Sequence, residues 1–245
     1  YMRCAAALGV PMCRPLAFGV NADGVYSVQS WINGEDAETA VPLLPARRQF
    51  LLGEESGRIL KTLHTIPAPP YAAAWEARFN RKIDRKIAMY EACPLRYPRD
   101  RLLYAVIAEN RALLHGRPQV MQHGDYHIGN MMLRDGHIAV IDFNRFDWGD
   151  PYEEFNRIVW CAQASPAFAA GQVRGYFGGE PPLLFWRLLA LYIASNTLSS
   201  LPWAIPFGQG EIDTMLRQAE EVLAWYRGME TVIPTWYEES CREHL

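Results

Sequence analysis

The sequence predicts an α+β protein with strands in its first and central parts and a mostly helical remainder. Three observations carry that expectation. Apolar runs flank an Asn21–Gly24 turn near the start. A second pair of strand-like runs flanks Asp135-Gly136, and an Asp-Gly pair between apolar runs is a strong hairpin signal. Beyond residue 150, segments of helical length with mixed apolar and polar content dominate.

Taken in order, Met2–Leu8 reads as the end of a helix stopped by Gly9 and Pro11. Pro15–Val20 and Val25–Ile32 read as strands. Asp36–Val41 is a short helix ended by Pro42 and Pro45. Arg47–His64 places Phe50, Leu51, Ile59, Leu60 and Leu63 at helical period, and Pro67, Pro69 and Pro70 end it. His64 is expected to pack on the core at the helix end. Trp75–Tyr90 is a helix whose Arg78, Arg81, Lys82, Arg85 and Lys86 read as a solvated face. Arg101–Leu114 is another helix, and Gln119–Gln122 is a short strand. Met131–Leu133 and Ile138–Ile141 are the central strands. Asp150 followed by Pro151 is a good helix start, with Asp as N-cap and Pro at the first helical position. Tyr152–Gln163, Pro182–Ser200 and Gly210–Gly228 complete the helices, with breaks at Gly178-Gly179, Pro202 and Pro206.

Composition narrows the function. The chain has 245 residues, half of them hydrophobic, enough for one large domain or two lobes. A net charge of -3 gives no electrostatic case for binding nucleic acid or an anionic membrane. No apolar run approaches the length of a membrane span, and no signal peptide is visible at the start. Five scattered cysteines, Cys4, Cys13, Cys93, Cys161 and Cys241, lack metal-ligand spacing and read as reduced thiols of a cytoplasmic protein.

The chemistry concentrates between His123 and Phe143. That stretch reads His-Gly-Asp-Tyr-His-Ile-Gly-Asn, the hairpin, then Val-Ile-Asp-Phe. The hairpin would fold Asp142 back beside Asn130, so that two oxygen-bearing side chains converge on one point, as a hard cation such as magnesium requires. Asp125 lies nearby, free to orient and deprotonate a hydroxyl. Each residue also has an ordinary reading, since Asp and Asn favour turns and caps; it is the set that is unusual. His123 and His127, four residues apart, suggest a metal pair, but Gly124 and the strand-like surroundings argue against the helix that would align them. His123 is expected to hold the loop by local hydrogen bonds, and His127 to lie near the phosphate or solvent.

This stretch resembles the catalytic and metal-binding segments of the aminoglycoside phosphotransferase family, small-molecule kinases related to choline kinases. His123, Gly124, Asp125, Asn130, Ile141, Asp142 and Phe143 all fall on its pattern. The resemblance implies a protein-kinase-like two-lobe fold, with Asp125 as catalytic base and Asn130 and Asp142 as magnesium ligands. It implies a hinge at Ser30, Trp31 and Ile32, where the Ser30 carbonyl and Ile32 amide would bind the purine of ATP or GTP. Residues 1–33 would then be the remainder of the nucleotide-binding lobe, and 34–245 the catalytic and acceptor-binding lobe. The glycine-rich loop and strand lysine of such folds lie upstream of a hinge. The three lysines, Lys61, Lys82 and Lys86, are all downstream, so the small lobe is expected to be incomplete by roughly 50 residues.

Further expectations follow from the same resemblance. Asp150 would brace the catalytic loop. Asn144 departs from the glycine common after Asp-Phe, which leaves the local turn open. Gly124 stands where protein kinases carry an arginine that reads a phosphorylated activation loop, and residues 143–150 are too short for such a loop. A small-molecule kinase without that switch is expected. The family acts on aminoglycoside-like antibiotics, macrolides, choline and other metabolites, which points to a cationic acceptor. Asp147, Glu153, Glu154, Glu238 and Glu239 are the acidic candidates to bind it, and aromatic residues of the tail could hold a quaternary amine. Two other readings stand beside this one. The first is a metal-dependent phosphatase or hydrolase using His123, Asp125, His127 and Asp142 with zinc or manganese. The second is a nucleotide-binding module without catalysis.

Overall fold

The computed structural model describes residues 1–244. It begins with α1 (Met2–Ala7) and the antiparallel hairpin β1 (Pro15–Asn21) and β2 (Gly24–Gln29). Asn21 makes the hairpin turn: its side chain accepts from the backbone of Asp23 and Gly24. Phe18, Val20 and Val25 on this hairpin are exposed. Residues 30–34 lie outside any strand and lead into β3 (Glu35–Asp36) and α2 (Ala37–Ala40), which Asp36 caps by accepting from Glu38 N.

The larger part is helical. α3 (Ala46–Leu63), α4 (Trp75–Glu91) and α5 (Asp100–Asn110) precede the short strand β4 (Val120–Gln122). The central hairpin follows as β5 (Met131–Arg134) and β6 (His137–Val140), with Arg134 opposite His137. Asp135 and Gly136, at φ 52° and 80°, form its two-residue turn in the left-handed region. β3 adds to β5 to make three strands. β7 (Asp147–Gly149) pairs antiparallel with β4, so the segments on either side of the central hairpin are tied together.

Four helices close the molecule after α6 (Ile158–Ala164): α7 (Pro166–Phe177), α8 (Leu183–Ala204), α9 (Gln209–Trp225) and α10 (Thr235–His244). The helix expected over Tyr152–Gln163 is split, with a 3-10 segment at Glu153–Arg157 before α6. Asp150 caps only a turn there, accepting from Tyr152 N at 3.0 Å. α7 is an addition to the expected helices. It packs on α3 through two pairs of glycines, Gly53 and Gly57 against Gly171 and Gly175. A Cβ at any of the four would run into a carbonyl oxygen of the facing helix. Each glycine costs its helix about 1 kcal/mol relative to alanine, and backbone contact along the seam offsets that.

α8 corrects a second expectation. Its segment is long and apolar enough to cross a membrane by length and composition. It is instead the central core helix, packed against α4, α5 and α9, with Phe185, Leu188, Leu191, Tyr192 and Leu198 fully buried.

Candidate active site

The loop from His123 to Asn130 leaves β4 and runs under the central hairpin. His123 is fully buried. Its Nε2 donates to the Ile141 carbonyl at 2.9 Å, and its Nδ1 accepts from Asp125 N at 3.3 Å. One imidazole thus ties the start of the loop to the strand end before Asp142. Both ring nitrogens are in use, so His123 is not available as the metal ligand of the hydrolase reading. Gly124 takes φ 86°, and a Cβ there would collide with the Arg145 carbonyl oxygen. Glycine is therefore required twice over, by conformation and by contact.

Glu154 holds the same loop from below. Its Oε2 accepts from His123 N at 2.6 Å and its Oε1 from Gly124 N at 2.9 Å. Charged acceptors on paired backbone donors are among the stronger hydrogen bonds. His64, buried at the end of α3, sits 3.8 Å from the same carboxylate and bonds Tyr176 through Nδ1. This corrects two expectations. Bracing of the loop falls to Glu154 and not to Asp150, whose fully buried carboxylate is taken by Arg117, Tyr192 and Tyr152 N. Glu154, with both oxygens used and 2% exposure, cannot serve as an acceptor-binding residue.

Asn130 and Asp142 come together through the hairpin. Ile141 N donates to the Asn130 carbonyl at 3.0 Å, one step beyond the Met131–Val140 pair. Asn130 Nδ2 donates to the Asp125 carbonyl at 2.9 Å, which leaves its Oδ1 without a hydrogen-bond donor among the described residues. Asp142 adopts φ 62°, and its carboxylate accepts one long bond, 3.4 Å, from Asn144 N as the chain turns through the 3-10 segment Phe143–Arg145. Two hard oxygen donors with spare lone pairs fit magnesium, which keeps waters and phosphate oxygens in its remaining positions.

Asp125 lines a cavity of about 560 Å³. Its Oδ2 is 3.4 Å from Arg145 Nη1, and its Oδ1 is 3.1 Å from Arg157 Nε. The second contact is an ion pair without hydrogen-bond alignment, since Arg157 Nε has no hydrogen-bond partner. His127 Nε2 lies 3.8 Å from Asp125 Oδ1. Burial depresses the His127 pKa; Asp125 opposes that effect, while Arg157 and Arg145 reinforce it. No sequence signal marks Arg145 or Arg157: neither spacing nor neighbours distinguish them from surface arginines.

The cavity continues between α4, α8 and α9, lined by Arg85, Lys86, Trp160, Asn196 and Trp203. A second cavity of about 230 Å³ shares Lys86, Arg145, Arg157 and Asn196 with it. The basic run on α4 is therefore only partly a solvated face. Arg78 pairs with Asp147 at 3.2 Å, Lys82 with Glu153 at 3.0 Å, and Lys86 Nζ is 3.3 Å from Asn196 Oδ1. Burial lowers the Lys86 pKa to about 7, with Lys82 adding to the effect and Glu153 opposing it.

The acidic acceptor candidates do not gather in the large cavity. Asp147 and Glu153 are engaged by Arg78 and Lys82, and they line the smaller one. Glu238 and Glu239 sit on exposed positions of α10, which packs on α7, and neither lines the cavity at Asp125. Glu238 lies 4.0 Å from Arg227.

At the other side of the Asp142 turn, a cavity of about 600 Å³ opens between α1, the β1–β2 hairpin and Phe143, Asn144 and Phe146. Ser30 N donates to Arg14 O at 2.9 Å, and Ile32 is buried with Cys13 and Ala139 beneath an exposed Trp31. The Ser30 carbonyl and Ile32 amide have no hydrogen-bond partner among the described residues.

Comparison with known proteins gives a family and a fold. Residues 1–186 match the model of the phosphotransferase enzyme family (APH). The fold is similar to that of a choline/ethanolamine kinase family protein from Mesorhizobium loti, at 16% identity and TM-score 0.68, covering 99% of this chain and 81% of that one. It is also similar to the aminoglycoside 2'-phosphotransferase IIIa of a GDP complex, at 15% identity and TM-score 0.69, over 93% of this chain and 80% of that one. A gentamicin complex of APH(2")-IIa matches at 18% identity and TM-score 0.61, over 94% and 80%. No curated protein matches the chain in sequence. The likeness is to the α+β, two-lobe, kinase-like fold.

Proposed function

Because the chain belongs to the phosphotransferase enzyme family, we propose that it moves the terminal phosphate of ATP or GTP to a hydroxyl group of a small molecule. The observation that carries this reading is the placement of Asp125. Its carboxylate faces a cavity of small-molecule size, and its loop continues directly into Asn130 beside Asp142.

Each residue then has a task. Asp125 orients the acceptor hydroxyl and takes its proton as the new P–O bond forms. Arg145 and Arg157 hold the Asp125 carboxylate from two sides. His123 and Glu154 keep the loop backbone in place. Asn130 and Asp142 would hold magnesium, which when bound supplies positive charge to the nucleotide phosphate oxygens. The Ser30 carbonyl and Ile32 amide are the groups offered to a purine edge, and the relatives solved with GDP, ADP and ATP support nucleotide use.

Asp125→Asn tests the reading. It should lower turnover by about 10²–10⁴-fold, the range for a positioned general base, while the rise in Tm on adding nucleotide and magnesium is kept. A variant with undiminished turnover removes Asp125 from the mechanism.

The cavity lining supports an anionic acceptor better than the cation expected from the sequence. The cavity at Asp125 presents more arginine and lysine than carboxylate.

A further inference from the structure

Resting on the phosphotransferase reading, we propose that the acceptor carries an oxyanion, a carboxylate or phosphate, in addition to its hydroxyl, and that Lys86 and Arg85 bind it.

A count of charge around the cavity leads there. Its lining holds Arg85, Lys86, Arg145, Arg157 and His127 against two carboxylates, Asp125 and Glu38. Arg145 and Arg157 are both committed to Asp125. On the adjoining surface, Lys82 is committed to Glu153. Lys86 and Arg85 are left without a carboxylate within ion-pair distance among the described residues. Glu38 is exposed and forms no ion pair with Lys86 or Arg85 among the described residues.

Lys86 is the stronger indicator. An ammonium has three donors, and here one amide oxygen, Asn196 Oδ1, answers it. The half-buried ammonium lines both cavities among like charges, Lys82, Arg85 and Arg157, with Glu153 the opposing charge. A cation set among cations in a cleft is stabilised by an anion that joins it. It lies where the two cavities meet, since both are lined by Lys86, Arg157 and Asn196. An anion seated there would satisfy Lys86 and Arg85 while the rest of the molecule extends toward Asp125. Trp160 and Trp203 on the wall give that molecule an apolar surface to lie against. A cationic acceptor would meet the opposite situation: it would add a fifth positive side to a cleft whose one catalytic carboxylate is already shared by two arginines.

The test compares matched acceptors on the full-length protein with ATP or GTP and magnesium. Hydroxy acids and sugar phosphates are set against their neutral isosteres, for example phenyllactate against 3-phenylpropane-1,2-diol and glucose 6-phosphate against glucose. Choline and gentamicin form the cationic arm. The carboxylate and phosphate pairs distinguish the two forms of oxyanion. Anionic members should exceed their isosteres by about tenfold or more in kcat/KM, the discrimination typical of a paired charge. Arg85→Ala, on an exposed side chain that folding does not need, should erode that ratio by raising KM. Lys86→Glu should reverse it. Equal rates for charged and neutral partners, or preference for choline or gentamicin, overturn the proposal and leave the phosphotransferase reading standing. Absence of nucleotide turnover with every acceptor, together with no nucleotide-dependent rise in Tm, overturns both.

Discussion

The loop from His123 to Asn130 and the wall made by α4 and α8 border one cavity, and they treat charge in different ways. In the loop, polar groups are matched inside the protein. Glu154 takes two backbone amides, His123 uses both ring nitrogens, and Asn130 Nδ2 closes on the Asp125 carbonyl. In the wall, Lys86 has one amide oxygen and Arg85 has solvent. A matched polar network fixes geometry. An unmatched charge stores interaction for something that arrives later. Positioning and recognition are thus divided between the two sides of the cleft.

Gly124→Ala should break the loop side hardest. Alanine at φ 86° costs about 1–2 kcal/mol on conformation alone, and its Cβ must displace the Arg145 carbonyl. Moving that backbone shifts the arginine that holds Asp125. Turnover should fall by about 10²-fold, the scale of a 1 Å misplacement of reacting groups, along with a lower Tm in thermal melts. Unchanged kinetics in a folded Ala variant would show that the close approach has no catalytic meaning.

Glu154→Gln is the next step down. The amide keeps one acceptor and turns an NH₂ toward a backbone N–H, so one buried donor loses its partner, at about 1–3 kcal/mol. Denaturant unfolding should report that loss, with kcat affected more than KM because the residue touches the loop and not the acceptor.

Lys86→Met sharpens the wall side, and its sign is opposite. Burial, with help from Lys82, places the folded pKa near 7 against an ordinary 10.5. Between those values the unfolded chain binds more protons than the folded one, so stability rises with pH through that window. Below about pH 7 the full cost of the buried charge is present. Methionine should therefore raise Tm by about 2–4 °C near pH 6, the shift that ~1 kcal/mol gives a protein of this size. The advantage should shrink as pH approaches 10. A constant difference in Tm across that range would mean that Lys86 is well solvated.

These contrasts also explain what could be read from the sequence. The central hairpin was legible because Asp135-Gly136 demands a left-handed turn, and its two strands leave little choice of register. The kinase-like fold followed from the motif around it. The basic run on α4 carries no sequence mark of its role, because a charged helical face looks the same whether it meets water or the walls of a cleft. α7 went unseen because Gly171 and Gly175 weaken helix propensity, and its small residues are buried nearly all round, so no amphipathic stripe marks it. β7 is three residues long, too short for alternation to show, and it exists through pairing with β4. The role of Asp150 as a brace is implied by the family resemblance alone, whereas the reach of Glu154 to the loop is set by tertiary packing and leaves no mark in the sequence.

The contact between position 124 and the Arg145 carbonyl bears on how this enzyme class could acquire regulation. An arginine at 124, the side chain that lets protein kinases answer to a phosphorylated segment, has no room until residue 145 has already moved. Two coordinated changes would have to arrive together, the first harmful without the second. The backbone at residue 145 thus sets which side chain position 124 can carry.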